Sequence, residues 1–154
     1  MQTFLPHPNF LASAMVLDTK RLGKQRLEVL QILRTLAEFS RGYANHPAVR
    51  MWRGHEGSLG TYGQIVCAVW KDKGYSDTLL PPITSLKDSF LLSSRSSLDF
   101  PWWFGLDKFH KPHRSKLLHK NPTHYLGLFE DEKELIAKPL EYWWPEEGKN
   151  NNDT

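Results

Sequence analysis

Residues 18–39, DTKRLGKQRLEVLQILRTLAEF, read as one long amphipathic helix. Asp18 stands where an N-cap would, and the helix formers Leu, Lys, Gln, Arg and Glu follow it. At about 100° per residue, Leu22, Val29, Leu30, Leu33, Leu36 and Ala37 fall on one side. Lys20, Arg21, Lys24, Gln25, Glu28, Gln31 and Thr35 fall on the other. The first half of that polar face is basic, and Glu28 is an isolated carboxylate one turn beyond Lys24. Arg26 projects onto the apolar side near Leu22 and Leu33, where an arginine must snorkel out, pair, or line a cleft. Taken alone, Lys24 and Glu28 are an ordinary i, i+4 surface pair worth about 0.2–0.5 kcal/mol.

Ahead of this helix, MQTFLPHPNF carries two prolines and reads as an extended arm laid against the body. Asn9 is expected to cap a short helix through Leu17, with Phe10, Leu11, Ala14 and Leu17 facing inward. Behind it, the long helix is expected to end near Ser40-Arg41-Gly42, where Gly42 suits a C-terminus. Pro47 fits the first turn of a new helix, with Asn45 as its cap. Arg50 and Arg53 bracket Met51-Trp52, a pairing that suits phosphate contact with base stacking, or else a core tryptophan between two solvated arginines. A second long helix is expected from Ser58 to Lys73, with Leu59, Tyr62, Val66, Val69 and Trp70 at helical spacing. Gly60 and Gly63 would permit another helix to approach closely, and Gly74 would end the element.

Residues 75–83 read as a loop stiffened by two prolines, Ser85–Leu92 as a short helix, and residues 93–97 as a mobile serine-rich stretch. DFPWWFG, residues 99–105, reads as a loop whose Trp102 and Trp103 either cap the core or form a wedge entering a distorted duplex. Lys111–Lys120 is expected to be a basic helix with Pro112 in its first turn. Leu117 and Leu118 would anchor it, and Arg114, Lys116 and Lys120 would face outward. NPTHYLGLF reads as a turn with aromatic residues. Farther on, Glu141-Tyr142-Trp143-Trp144 is expected to pack back on the body, and GKNNNDT to fray. No stretch alternates with a strand's period, nothing repeats, and no linker divides the chain. The expected fold is all-α: a single domain over residues 1–145, built from a few long helices with an N-terminal arm and loops, and a polar tail over 146–154.

With 154 residues, 40% of them hydrophobic, the chain can bury a core, which excludes disorder as the default. No apolar run is long enough to span a bilayer, and the N-terminus lacks a signal-peptide pattern. The single cysteine, Cys67, has no internal disulfide partner and fits packing in a reducing, cytoplasmic setting. The histidines make no zinc-ligand spacing, no Gly-rich loop follows a strand, and no serine or cysteine nucleophile motif is present. Residues 1–129 hold 17 Lys+Arg against 9 Asp+Glu, whereas residues 130–154 hold 3 against 8. The body is basic and the tail acidic; a basic body is the footprint expected of a nucleic-acid binder, or else of a basic protein with no polyanionic partner.

Several of these segments together resemble the pyrimidine-dimer DNA glycosylase family, the endonuclease V type found in phages and bacteria. QRLEVLQIL resembles the family helix in which the catalytic glutamate precedes a Leu-rich run, and Glu28 matches that glutamate. RGYANHPAVRMW resembles the family's GY-x-NHP stretch. Lys73-Gly74-Tyr75 with Asp77-Thr78 resembles a segment ending in Asp-Thr, and HRSKLLHKNPTHYLG resembles a basic helix leading into a Pro and an aromatic-Gly run. The matches run in order over residues 1–127. One departure is that Leu27 replaces the arginine adjacent to the family's glutamate, with Arg26 one position earlier.

The resemblance implies an endonuclease V-like all-α fold and a chemistry. The α-amine at the N-terminus attacks C1′ of the damaged nucleotide, the base leaves, a Schiff base forms, and β-elimination breaks the strand. Gln2 is bulky enough to leave Met1 in place, so the implied catalytic pair is Met1 and Glu28. Arg21, Lys24 and Arg26 would hold phosphates and keep Glu28 ionised. His46, Arg50, Arg53, Arg114, Lys116, Lys120 and Tyr125 complete the expected DNA-binding set. No metal, organic or nucleotide cofactor is required, the substrate is double-stranded DNA, no membrane is involved, and a monomer is expected. Two alternatives stay open: a non-catalytic DNA-binding protein on the same scaffold, and a helical protein whose Trp-rich tail is an interaction patch. Cyclobutane dimers, another lesion and a phage-type modified base are all open as the base removed.

Overall fold

The helix α2 (Thr19–Leu36) buries Leu22, Val29, Leu30, Ile32, Leu33 and Leu36 against two other long helices, α4 (Glu56–Asp72) and α5 (Leu80–Leu92). This is a computed structural model, and it describes residues 1–93, 96–130 and 136–146. The remaining elements are α1 (Phe10–Val16), α3 (Pro47–Arg50), α6 (Asp107–Lys120) and α7 (Pro122–Tyr125). Among the described residues there is no strand, and the seven helices share one hydrophobic core in a single compact domain. No helix among them is long and apolar enough to cross a membrane.

The close approach expected of the α4 glycines is present. A Cβ on Gly63 would stand 2.6 Å from Val29 Cγ1 on α2, and one on Gly60 would stand 2.6 Å from Lys87 Cβ on α5. Real Cβ contacts are never so short, so these two positions let three helix backbones pack face to face. Gly74 closes α4 at a φ of +91°. Cys67 is buried in α4; burial first, then Asp77 beside it, pushes its thiol up to about 12, the state of an inert packing group.

Several element boundaries differ from expectation for identifiable reasons. Helix α2 stops before Gly42, because Glu38 takes a left-handed φ of 66°. Glu38 N–H then reaches Thr35 O at 3.0 Å and Phe39 N–H reaches Arg34 O at 2.9 Å, a Schellman closure built without glycine. Asn9 does cap α1, accepting from Ala12 N–H at 2.8 Å, but Leu11 points outward at 50% exposure. His46, not Asn45, caps α3, its Nδ1 accepting from Ala48 N–H at 3.0 Å. The pair Pro81-Pro82 lies inside the first turn of α5, where the missing N–H groups would have had no helical partner. Helix α6 starts at Asp107, which puts Pro112 within the helix instead of in its first turn.

Two segments without regular structure wrap the helices. The arm, residues 1–9, buries Gln2, Thr3, Phe4 and Leu5. The strap, residues 136–146, is the part of the acidic tail that packs back. Leu140 N–H donates to Ser115 Oγ at 2.9 Å, Tyr142 meets His113, Trp143 meets Trp102, and Trp144 meets His46. Residues 147–154, where fraying is expected, and Ser94 and Arg95 of the serine-rich stretch lie outside the described residues.

Candidate active site

The arm crosses the face of α2 that carries Gln25 and Glu28, and this crossing builds the site. Thr3 Oγ1 accepts from Trp52 Nε1–H at 3.0 Å, and Tyr62 Oη donates to Phe4 O at 2.6 Å. Leu5 is held on both edges by α6: its N–H donates to His113 Nδ1 at 3.0 Å, and its C=O lies 2.7 Å from His110 Nδ1. His110 Nε2 accepts from Gly105 N–H at 2.9 Å, so Nδ1 carries the proton and donates to Leu5 O. Burial, before any neighbouring charge, keeps both rings neutral and pushes His113 down to about 3. Arg114 adds a bond to Pro6 O at 2.8 Å.

Anchored in this way, the start of the chain opens into a cleft of about 250 Å³. Met1, Gln2 and Phe4 line it from the arm, Lys20, Arg21, Lys24 and Glu28 from α2, and Lys120 from α6. Among the side chains of these residues four are cationic and Glu28 is the only acid. Glu28 is 6% exposed. Its Oε2 accepts from Gln25 Nε2 at 2.8 Å, and its Oε1 lies 3.8 Å from Lys24 Nζ. Burial raises its pKa, and this outweighs the opposing pull of the Met1 ammonium, Lys24, the Gln2 N–H and the Gln25 amide. The carboxyl is therefore shifted up from its ordinary value while facing the amine, a setting that suits a group that exchanges protons. Lys120 crosses the Phe4 ring at 5.3 Å, and burial, followed by Arg21 and Lys116, lowers its pKa. The arrangement suits a polyanion at the rim and proton transfer at the floor.

The other expected site residues divide. Arg21 lines the cleft while pairing with Asp18 at 3.1 Å. His46 stands close enough to the Met1 ammonium for that charge, after burial, to lower its pKa. Arg26 leaves the cleft, pairing with Asp77 at 2.5 Å with its guanidinium 4.4 Å from the centre of Trp70. Arg50 lies beside Trp144 and Pro145, and Arg53 beside Thr35 and Arg41, in concavities of their own. Arg114 pairs with Asp107 at 3.1 Å, and Lys116 with Glu141 at 3.5 Å. Two expectations need correcting. Tyr125 is fully buried, its hydroxyl donating to Asp18 Oδ1 and accepting from Asp18 N–H, so it braces the entry to α2 and presents no surface to DNA. Trp103 is 1% exposed between Trp52 and Phe109, a core position that rules out a wedge; Trp102 is half-buried against Trp143.

Residues absent from the expected set but present at the site are Gln2, Lys20, Gln25, Tyr62, His110 and His113. Gln25 and Glu28 share a helix face at i, i+3, and this spacing was the available signal. Nothing local indicates that the arm covers that face. Among the described residues no His, Cys, Asp and Glu side chains gather in a metal-binding group.

A family model described as pyrimidine dimer DNA glycosylase matches residues 1–80, just over half of the chain. The matched span holds the arm, α1 to α4 and therefore Met1, Gln25 and Glu28; Lys120 and the strap lie beyond it. No curated protein and no solved structure matches.

Proposed function

The chain belongs to the pyrimidine dimer DNA glycosylase family, and from that premise we propose that it is a DNA-repair glycosylase with AP-lyase activity that uses the Met1 α-amine as nucleophile and Glu28 as proton-transfer group. The observation that carries this reading is the cleft in which one buried carboxylate faces the Met1 ammonium within a ring of cations. An α-amine attacks as the neutral base, and a carboxylate beside it can take up the proton that the attack releases.

The amine lone pair attacks C1′ of the damaged nucleotide, and the glycosidic bond breaks with its electron pair leaving on the base. Glu28 stabilises positive charge developing at the sugar and accepts the proton released by the attacking nitrogen. The nitrogen's electron pair then forms the C1′ imine as the C1′–O4′ bond breaks and Glu28 returns its proton to O4′, which leaves the carboxylate free again. Glu28 removes a proton from C2′, the electrons form the C2′–C3′ double bond, and the 3′ phosphate leaves. Lys20, Arg21, Lys24 and Lys120 hold the flanking phosphates of duplex DNA.

Borohydride reduction during turnover tests this reading. On duplex containing a cyclobutane pyrimidine dimer or an abasic site, we expect a covalent protein–DNA adduct whose mass maps to the Met1 peptide, and its loss in Glu28→Gln. Binding that weakens with salt but yields neither adduct nor cleaved strand on any lesion would leave a non-catalytic DNA-binding protein instead.

A further inference from the structure

Gln25 is fully buried on α2, and its carboxamide is used at both ends. Nε2 donates to Gln2 O at 2.8 Å and to Glu28 Oε2 at 2.8 Å. Oε1 accepts from Phe4 N–H at 2.5 Å, and the Tyr62 hydroxyl, whose hydrogen goes to Phe4 O at 2.6 Å, lies 3.1 Å from it. A primary amide has two donor hydrogens, and both are used here, while its oxygen takes the Phe4 N–H. Its orientation is also forced. Turning it over would set its oxygen against Gln2 O and the Glu28 carboxylate, and its NH2 against Phe4 N–H. One planar group thus ties the arm directly behind Met1 to one oxygen of Glu28.

We propose that Gln25 is a positioning residue that fixes the Glu28 carboxylate relative to the Met1 amine and, through its N–H, holds that carboxylate ionised. This rests on the roles proposed above for Met1 and Glu28. The place requires a neutral group that donates on one side and accepts on the other. A hydrocarbon would leave Gln2 O, Phe4 N–H and Glu28 Oε2 short of partners in a dry setting. A carboxylate would confront Gln2 O and Glu28 with like partial and full charge. The other charged or titratable groups facing Glu28 are the Met1 ammonium from the arm, Lys24 on its own helix, Tyr62 on α4, Lys120 on α6 and Tyr142 on the strap. Gln25→Glu changes none of these groups and replaces the amide donor that faces both Glu28 Oε2 and Gln2 O at 2.8 Å by an acceptor.

The test compares wild type with Gln25→Glu in two measurements. The first is the pH profile of single-turnover strand cleavage on a duplex with one abasic site, with borohydride trapping alongside. The second is an NMR titration of the Glu28 side-chain carboxyl. We expect the acid limb of the profile and the Glu28 midpoint to move up together by about one pH unit or more, with about tenfold less product on the acid limb. An acid limb and a midpoint that stay in place while only the melting temperature falls would reduce Gln25 to a core strut and overturn the proposal. Should wild type give neither product nor adduct, the functional reading fails by itself; the Glu28 midpoint then decides on Gln25, an unmoved one against it. If Gln25→Glu does not fold, the side-chain NH2 signals of Gln25 in wild type take its place. They must follow the Glu28 titration, and signals indifferent to it overturn the proposal.

Discussion

Lys24 Nζ stands 3.8 Å from Glu28 Oε1 across one turn of α2, with the lysine side chain 69% exposed and the carboxylate 8% exposed. The pair therefore joins a solvated cation to a buried anion. Solvent screening leaves it worth less than about 0.5 kcal/mol to the fold, so Lys24 is available to a phosphate. Lys24→Ala should leave the denaturation midpoint unchanged and weaken binding of duplex DNA. The slope of log K against log salt should flatten by about 1, read by fluorescence anisotropy over a salt series.

Glycine at position 63 should be indispensable to the α2–α4 contact. Gly63→Ala must displace Val29 or separate the helices, since the new Cβ would meet Val29 Cγ1 at 2.6 Å. Overpacking of this kind costs about 1–3 kcal/mol, well beyond what alanine gains in helix propensity. Gly42→Ala is the control, with nothing within 4 Å of its Cβ, and should stay within about 0.5 kcal/mol of wild type. Urea denaturation of both variants reads the difference.

Acid should weaken the fold through the histidines that hold the arm. His113 falls to about 3 in the folded protein from the ordinary 6.5. Above pH 6.5 both folded and unfolded chains keep the ring neutral, and no dependence arises. As pH drops from there toward 3, the unfolded chain takes up a proton that the folded one refuses, so stability is lost at up to about 1.4 kcal/mol per pH unit. His110, also lowered chiefly by burial, acts in the same direction. Denaturant midpoints measured from pH 7.5 downward should fall below pH 6.5, and His113→Gln should flatten that slope whatever it does to the plateau.

The α2 terminus offers a stabilising substitution. Glu38 is exposed and holds a φ of 66°, a conformation that disfavours every residue with a Cβ. Glu38→Gly should keep the Schellman bonds and raise stability by about 0.5–1 kcal/mol, visible as a higher melting temperature.

Helical class, the two long helices and the α4 glycines were legible because they depend on local periodicity and on which residues lack a Cβ. The proposed pairing of Met1 with Glu28 came from an ordered resemblance and not from local pattern. The boundaries that moved depend on groups the local pattern does not weigh. Glu38 took a glycine's conformation, Pro81-Pro82 joined a first turn, and His46 took a cap from Asn45 with its ring nitrogen.

Composition and periodicity alone thus determined an all-helical, basic domain with a lone carboxylate on the polar side of its central helix. Tertiary structure decided that this side is not solvent. The arm lies across it, Gln25 and Glu28 become buried, and Trp103 and Tyr125 go to the interior while Lys20 and Lys120 come to the rim. The reason is that burial of a polar face depends on partners distant in the chain. Thr3 with Trp52, Leu5 with His110 and His113, and Phe4 with Tyr62 fold the arm over α2. None of those pairings leaves a mark within one helix's spacing.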